Sequence, residues 1–239
     1  MRTIAVIAAI AAAQASFLES LTAELPGGFC SPCVQLGSEG INTLLNYLLN
    51  AGVISTCTKL CSSLPAGNEQ TACNLACDLV GAKAFIEALK HTDLDPIYFC
   101  EVITACPAGP DDANATLLSA KATPSSVSKG DKVQMNCDVN VTKASGVGEF
   151  RIAVEGPVSG DISQSFILPK GLDVGVQQLG VELKVKDDPS GDEPVVWKPG
   201  TYKFNFEVCQ GECGSKHPHS KVFGTISGEF TLKDGIVVV

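Results

Sequence analysis

Eleven cysteines are spread unevenly along 239 residues, and this unevenness limits what the chain can fold into more than any other feature. Eight fall between Cys30 and Cys106, while Cys137, Cys209 and Cys213 lie beyond. Crowded cysteines in an exported chain read as bridges that staple a small unit. Export is itself expected from the first residues. Arg2 supplies a positive start, Ile4 to Ala13 is uncharged and apolar, and Ala13-Gln14-Ala15 gives a small-x-small cleavage signature, so 1–15 reads as a signal peptide. That apolar stretch is too short to span a bilayer, and no later segment approaches a spanning length. The expected location is therefore extracellular, or the lumen of an endosomal or lysosomal compartment. In that setting the sequons at Asn114 and Asn140 are glycan acceptors.

Charge narrows the partners. The formal net charge is -9, with no run of Lys or Arg. Nucleic acid is excluded, since binding its backbone needs a clustered basic footprint. Electrostatic capture by an anionic membrane is also disfavoured at neutral pH.

Periodicity changes along the chain. Ile41, Leu44, Leu45, Leu48 and Leu49 repeat at helical spacing, with Gly52 near the end of that helix. A second helix is expected from Val53 to Leu64, stopped by Pro65. A third starts near Asn68, a fair N-cap, with Leu75, Leu79, Ala82, Ile86 and Leu89 on one face. A fourth begins after Asp95 with Pro96 in its first position and ends before Pro107. The run Pro-Ala-Gly-Pro-Asp-Asp-Ala at 107–113 reads as a linker. Beyond it the period becomes two. Val133, Met135, Cys137, Val139 and Val141 alternate with polar residues, as do Tyr202, Phe204, Phe206 and Val208. Weaker runs at Ala115–Ala122, Phe150–Val154, Ser163–Leu168, Val181–Val185 and Lys221–Leu232 make about seven strands, the pattern of a β-sandwich over 114–235.

The cysteine spacing carries a resemblance. Cys30-Ser-Pro-Cys33 opens the first region, Cys100-Glu-Val-Ile-Thr-Ala-Cys106 closes it, and Cys61 and Cys73 lie between. Residues 27–106 thus resemble a saposin B-type domain, a four-helix, disulfide-linked fold. The resemblance implies the pairs Cys30–Cys106, Cys33–Cys100 and Cys61–Cys73. Cys57 and Cys77 exceed that family's usual six. Each lies four residues from Cys61 or Cys73, so it shares a helix face with it. In an antiparallel hairpin Cys57–Cys77 would form a second rung one turn below Cys61–Cys73. A zinc site of four cysteines is the competing reading. The extra rung and the sandwich that follows, of immunoglobulin-like type, resemble the countin family of secreted amoebal proteins. That resemblance implies an extracellular signalling factor working in a complex that limits group size.

Saposin-like domains act through apolar shells that open around lipid, which implies Ile41, Leu44, Leu45, Leu48, Leu79, Phe85 and Ile86 as lipid-facing residues. A closed core would bury the same side chains. The acids Glu39, Glu69, Asp78, Glu87, Asp93, Asp95 and Glu101 outnumber Lys59, Lys83 and Lys90, unlike the membrane-disrupting cationic members of the family. Carboxylate protonation would ease membrane contact in acid.

In the second region, Cys209-Gln-Gly-Glu-Cys213 precedes His217-Pro-His219. Two thiolates and two imidazoles at Cys209, Cys213, His217 and His219 could hold zinc. A local Cys209–Cys213 disulfide is the simpler reading, because Cys209 is out of phase with the inward set Tyr202–Val208. Cys137 then stays a buried free thiol, unless a bulge allows a Cys137–Cys209 bridge. Gly200-Thr201-Tyr202 resembles the turn feeding a tyrosine corner. Catalytic signatures are missing: there is no GxSxG, HExxH or P-loop, and His91, His217 and His219 sit beside no nucleophile pattern. The pairs Asp111-Asp112 and Asp187-Asp188 read as solvated turns.

The expectation is a secreted, non-enzymatic protein without cofactor. Its partners would be a lipid or membrane surface and other secreted proteins. An acid-activated membrane-perturbing effector and a structural adhesion module are the alternatives.

Overall fold

The computed structural model describes residues 29–50, 54–91, 95–160, 162–188 and 194–234, without the side chain of Glu39. The signal-like segment, Gly52, Val53 and Asp93 lie outside these residues. The chain divides into two compact units, with the boundary between Ala108 and Gly109.

The first unit is helical and disulfide-rich. Its described helices are α1 (Cys30–Asn50), α2 (Cys57–Cys61), α3 (Asn68–Val80), α4 (Ala82–His91) and α5 (Pro96–Val102). This is one more than the four expected. The long third helix is broken at Gly81, whose φ of 82° is a left-handed conformation that glycine adopts without steric cost. The second helix starts later than Val53. Thr56 is extended, and its hydroxyl accepts from the Lys59 N–H, so the cap sets the start. Gly67 rather than Asn68 is the cap residue of α3. At α5 the Asp95 carboxylate accepts from the Tyr98 N–H at 2.8 Å, and Pro96 occupies the first turn. A Cβ on Gly37 would lie 2.7 Å from the Pro96 Cβ, so α1 tolerates only glycine where α5 approaches. Phe85 meets Phe99 edge-on at 5.3 Å in the buried interior. No described helix is long and apolar enough to cross a membrane.

The second unit is a sheet sandwich. Its described strands are β1 (Asn114–Thr123), β2 (Ser126–Val127), β3 (Lys132–Lys143), β4 (Gly148–Glu155), β5 (Val158–Ser159), β6 (Ile162–Leu168), β7 (Gly175–Lys184), β8 (Val196–Trp197), β9 (Gly200–Gln210) and β10 (Lys221–Leu232). One sheet has the order β1-β3-β7, a second β2-β10-β9-β4-β6, and β5 pairs with β8. Inward residues of both larger sheets share one core, including Val133, Cys137 and Val139 from one and Ile152, Phe204 and Phe206 from the other. Two sheets burying one core face to face is the sandwich arrangement. The seven runs legible as strands are the seven long strands, although β7 begins at Gly175, six residues before the expected run. β2, β5 and β8 have two residues each, too few to show a period.

The expected linker is only partly one. Gly109 to Ala113 belong to the second unit. The Pro110 carbonyl accepts from Gln210 Nε2 at 3.0 Å, Asp112 pairs with Lys143 at 2.8 Å, and Ala113 is fully buried. Pro, Gly and acid residues also suit a tight packed corner, so composition alone does not separate the two.

Candidate functional site

Four bridges hold the helical unit. Cys30–Cys106 and Cys33–Cys100 tie the first turn of α1 to α5 and the residues after it. Cys57–Cys77 and Cys61–Cys73 join α2 to α3 as two rungs spaced four residues apart on each helix. The cysteines of the first unit are thereby all oxidised, which leaves none for a four-thiolate zinc site.

The apolar residues singled out for lipid fall into three groups. Ile41, Leu44 and Phe85 are buried, and Leu45, Leu48 and Ile86 are half-buried. Leu79 is 48% exposed. Periodicity missed how exposed two further leucines are: Leu75 is 41% exposed and Leu49 82%. Leu75 and Leu79 are one turn apart on α3, outside the stripe of Ala72, Cys73, Ala76 and Cys77 that the helix buries. The face expected to run on through Ala82, Ile86 and Leu89 is cut at Gly81. Leu89 therefore turns into the core while Leu75 and Leu79 stay in solvent. On α4, Glu87 forms exposed pairs with Lys90 and His91.

In the sandwich, Cys209 and Cys213 are bonded to each other, and Cys137 is free and buried. The disulfide consumes both thiols of the supposed zinc set. The histidines do not complete it either. Among the described residues, the metal-capable atoms that converge within 4.8 Å belong to Glu207, Cys209 and Cys213. His219 instead turns to Asp111 at 2.8 Å, and its carbonyl accepts from Gln210 Nε2 at 2.6 Å. The His217 N–H donates to Ser215 Oγ at 3.2 Å. A Cys137–Cys209 bridge is ruled out by the Cys209–Cys213 bond. Burial pushes the Cys137 thiol up to about 11, so it stays protonated.

Beneath the Cys209–Cys213 loop lies Glu149, a buried carboxylate with no precedent in the sequence pattern. It accepts from the Cys213 N–H at 2.6 Å and from Arg151 Nε at 3.1 Å, which satisfies the charge. Glu149 alternates correctly as an outward residue, and only the folded loop buries it. Gln210, in phase with the inward set of β9, is a second buried polar residue: its Oε1 accepts from the Gly146 N–H at 2.8 Å.

The sequons lie on neighbouring strands of the three-stranded sheet. Thr116 pairs with Asn140, and Asn114 Nδ2 donates to Thr142 Oγ1 at 2.8 Å, so each asparagine sits across from the other sequon's threonine. Asn114 is exposed and Asn140 half-buried. At the far end of the sandwich the Tyr202 hydroxyl donates to the Lys198 carbonyl at 2.6 Å and accepts from the Lys198 N–H at 3.1 Å.

Fold and bridges together define a two-unit protein, a helical unit held by four disulfides followed by a β-rich unit. Residues 26–104 match the countin N-terminal domain model, and residues 115–236 match the countin C-terminal domain model. The chain belongs to the countin family. It is 32% identical over 204 residues to Countin-1 of Dictyostelium discoideum, covering 85% of this chain and 77% of that one. Countin-3 of the same organism is 30% identical over 203 residues, covering 85% and 89% respectively. Countin-2 is 30% identical over 222 residues, covering 92% and 84%.

Proposed function

We propose that this chain is a secreted, non-enzymatic signalling protein whose helical unit engages a lipid or membrane surface. In this reading the helical unit is of saposin type and the sandwich is immunoglobulin-like, offering surface to other secreted proteins. The observation that carries it is the exposed apolar set Leu49, Leu75 and Leu79. Four bridges already hold the helices in this unit, so leucines in solvent are not needed for its cohesion. Burying apolar side chains of this kind in an acyl phase stabilises contact by about 25 cal/mol per Å² removed from water. The Tyr202–Lys198 hydrogen bond supports the immunoglobulin-like reading, because a tyrosine hydroxyl bonded back to upstream backbone is a feature of that fold. The non-catalytic reading rests on the sequence, in which His91, His217 and His219 sit beside no nucleophile pattern.

Acid should strengthen the contact. Bringing a carboxylate of this acidic unit toward an apolar phase or an anionic headgroup disfavours the charged form, so association raises its pKa. Binding is then favoured below the raised value and weakens as pH climbs through it. Co-sedimentation of the full chain with phosphatidylcholine vesicles, with and without phosphatidylserine, tests this at pH 5 and pH 7. Binding at pH 5 that drops on changing Leu75 and Leu79 to Ser is expected, without dye leakage. No sedimentation at either pH would overturn the lipid reading and leave a protein-interaction module. Leakage would replace it with an acid-activated membrane-perturbing function.

A further inference from the structure

The outer face of the five-stranded sheet is shaped as a trough. Antiparallel register across β6, β4, β9 and β10 aligns its outward side chains in rows. One row runs Ser165, Arg151, Glu207, Thr225. The next runs Ser163, Ala153, Asn205, Ser227, and the third Glu155, Lys203, Glu229. The middle row is short and uncharged, with a methyl group at Ala153, while both flanking rows carry long charged side chains. Rows lie two residues apart, about 7 Å, so the middle row is the floor and the charged rows are walls. A depression of about 610 Å³ is lined by the first row, by Ser163, Ala153 and Asn205 of the middle row and by Glu155 of the third, without Ser227, Lys203 or Glu229. Its length, across four strands, is about 14 Å.

The polar groups in it are held in place. Asn205 Nδ2 donates to Glu155 Oε1 at 3.0 Å, and Ser227 Oγ donates to Asn205 Oδ1 at 2.6 Å, which orients the amide on the floor. Arg151 is fixed from behind by the buried Glu149, which is itself bonded to the Cys213 N–H, and the Glu212 carboxylate is 3.7 Å from the guanidinium. The Cys209–Cys213 loop thus supports one wall and limits the freedom of its arginine. Ordered donors and acceptors lose little entropy when a ligand arrives.

The chemistry selects one kind of ligand. Hydroxyls, an oriented amide, carboxylates and a guanidinium complement a molecule with many hydroxyl groups. Glu155 and Glu207 outnumber Arg151 along the lining, so phosphate, sulfate and sialyl groups are repelled. A floor of serine, alanine and asparagine offers nothing to an acyl chain. The two N-glycan acceptors, Asn114 and Asn140, stand on β1 and β3 of the other sheet, so glycans attached there leave this face open. We infer that the trough between the Arg151/Glu207 row and Glu155 is a binding site for neutral oligosaccharides.

Frontal affinity chromatography of the full secreted chain tests this, after endoglycosidase treatment so that no N-glycan of its own competes. The immobilised probes are neutral oligosaccharides of glucose, mannose, galactose and N-acetylglucosamine, with sialylated and sulfated glycans run alongside. Retention on at least one neutral series is expected. Ala153→Leu fills the floor and should lower that retention about tenfold or more. Asn205→Ala removes the oriented amide and should lower it about fivefold or more, whether or not the leucine variant folds. Val176→Ala, on an exposed position of the other sheet, should leave it unchanged. Far-UV circular dichroism and the melting temperature check each variant. No retention on any neutral series would overturn the assignment, as would retention confined to sialylated or sulfated glycans. Folded Ala153→Leu and Asn205→Ala proteins that bind like the parent would also overturn it.

Discussion

The helical unit and the sandwich solve the same problem by different means. Apart from α1 with 21 residues, the described helices of the helical unit are short, the shortest spanning five residues, and four bridges that close separations from 12 to 76 residues tie them. The sandwich has one bridge, spanning four residues, and relies on a core that includes Trp197, Tyr202, Phe204, Phe206 and Phe230. Short helices bury little area per residue, so small units of this kind depend on cross-links that restrict the unfolded chain. Two packed sheets bury alternate residues along every strand and need no such help. Both units leave some apolar side chains in solvent, Leu49, Leu75 and Leu79 in the stapled unit and Leu118, Val174 and Val176 in the sandwich.

The sharpest way to break this contrast is reduction. Each long-range bridge stabilises by about 3–4 kcal/mol through restriction of the unfolded chain, so a thiol reductant with mild denaturant should abolish the helical signal. The sandwich should keep its near-ultraviolet aromatic signature under the same conditions, since Trp197 and Tyr202 are packed 4.9 Å apart in a core without a bridge. Removing a single rung, with Cys57 and Cys77 both changed to Ala, should cost the helical unit about 2–4 kcal/mol. Loss of both signals together on reduction would show that the units unfold as one.

A smaller effect tests the sandwich from its own side. Tyr202→Phe keeps the ring between Trp197 and Phe230 and deletes only the hydroxyl that bonds Lys198. Denaturant titration should register a loss of about 1–2 kcal/mol in the β-unit transition, with the helical transition unmoved. A loss within error of zero would mean that water replaces the bond.

The smallest effect is electrostatic and again falls on one unit. Bonds from Lys143 to Asp112, from Gln178 and Ser119 to Asp138, and from Lys129 and the Trp197 N–H to Asp187 hold these carboxyls below the usual range. A carboxyl with a lowered folded-state pKa contributes stability above its unfolded value, and that contribution is lost as pH falls through the folded one. The melting temperature of the sandwich should therefore decline from about pH 4 downward. Asp187→Asn should flatten part of that decline, and an unaltered acid limb would remove Asp187 from the account.

What could be read without a structure was whatever depends on near neighbours. Four-residue spacing puts Cys57 on one helix face with Cys61 and Cys73 with Cys77, which is local, whereas the pairing of Cys61 with Cys73 was implied by the saposin resemblance. Strict alternation from Val133 to Val141 and from Tyr202 to Val208 marks two central strands, because a pleat repeats every second residue. Asp95 before Pro96 announces a capped helix in the same way.

Other features depend on residues far apart in the chain, and these only the tertiary structure decided. Gly81 breaks a helix that its neighbours would have continued, because α3 and α4 bury different stripes. The Cys209–Cys213 loop closes over Glu149, Gln210 is held by Pro110, Gly146 and His219, and residues 109–113 look like a linker until Lys143, Gln210, His219 and Lys221 bond to them. The trough on the five-stranded sheet is the clearest case. Ser163, Ala153, Asn205 and Ser227 come from four strands, and nothing in any one strand marks its member of the row. Their alignment is set by cross-strand register, which is determined by the burial of the opposite face. Spacing along a chain encodes periodicity, but which strands lie side by side is fixed by long-range pairing and the shared core.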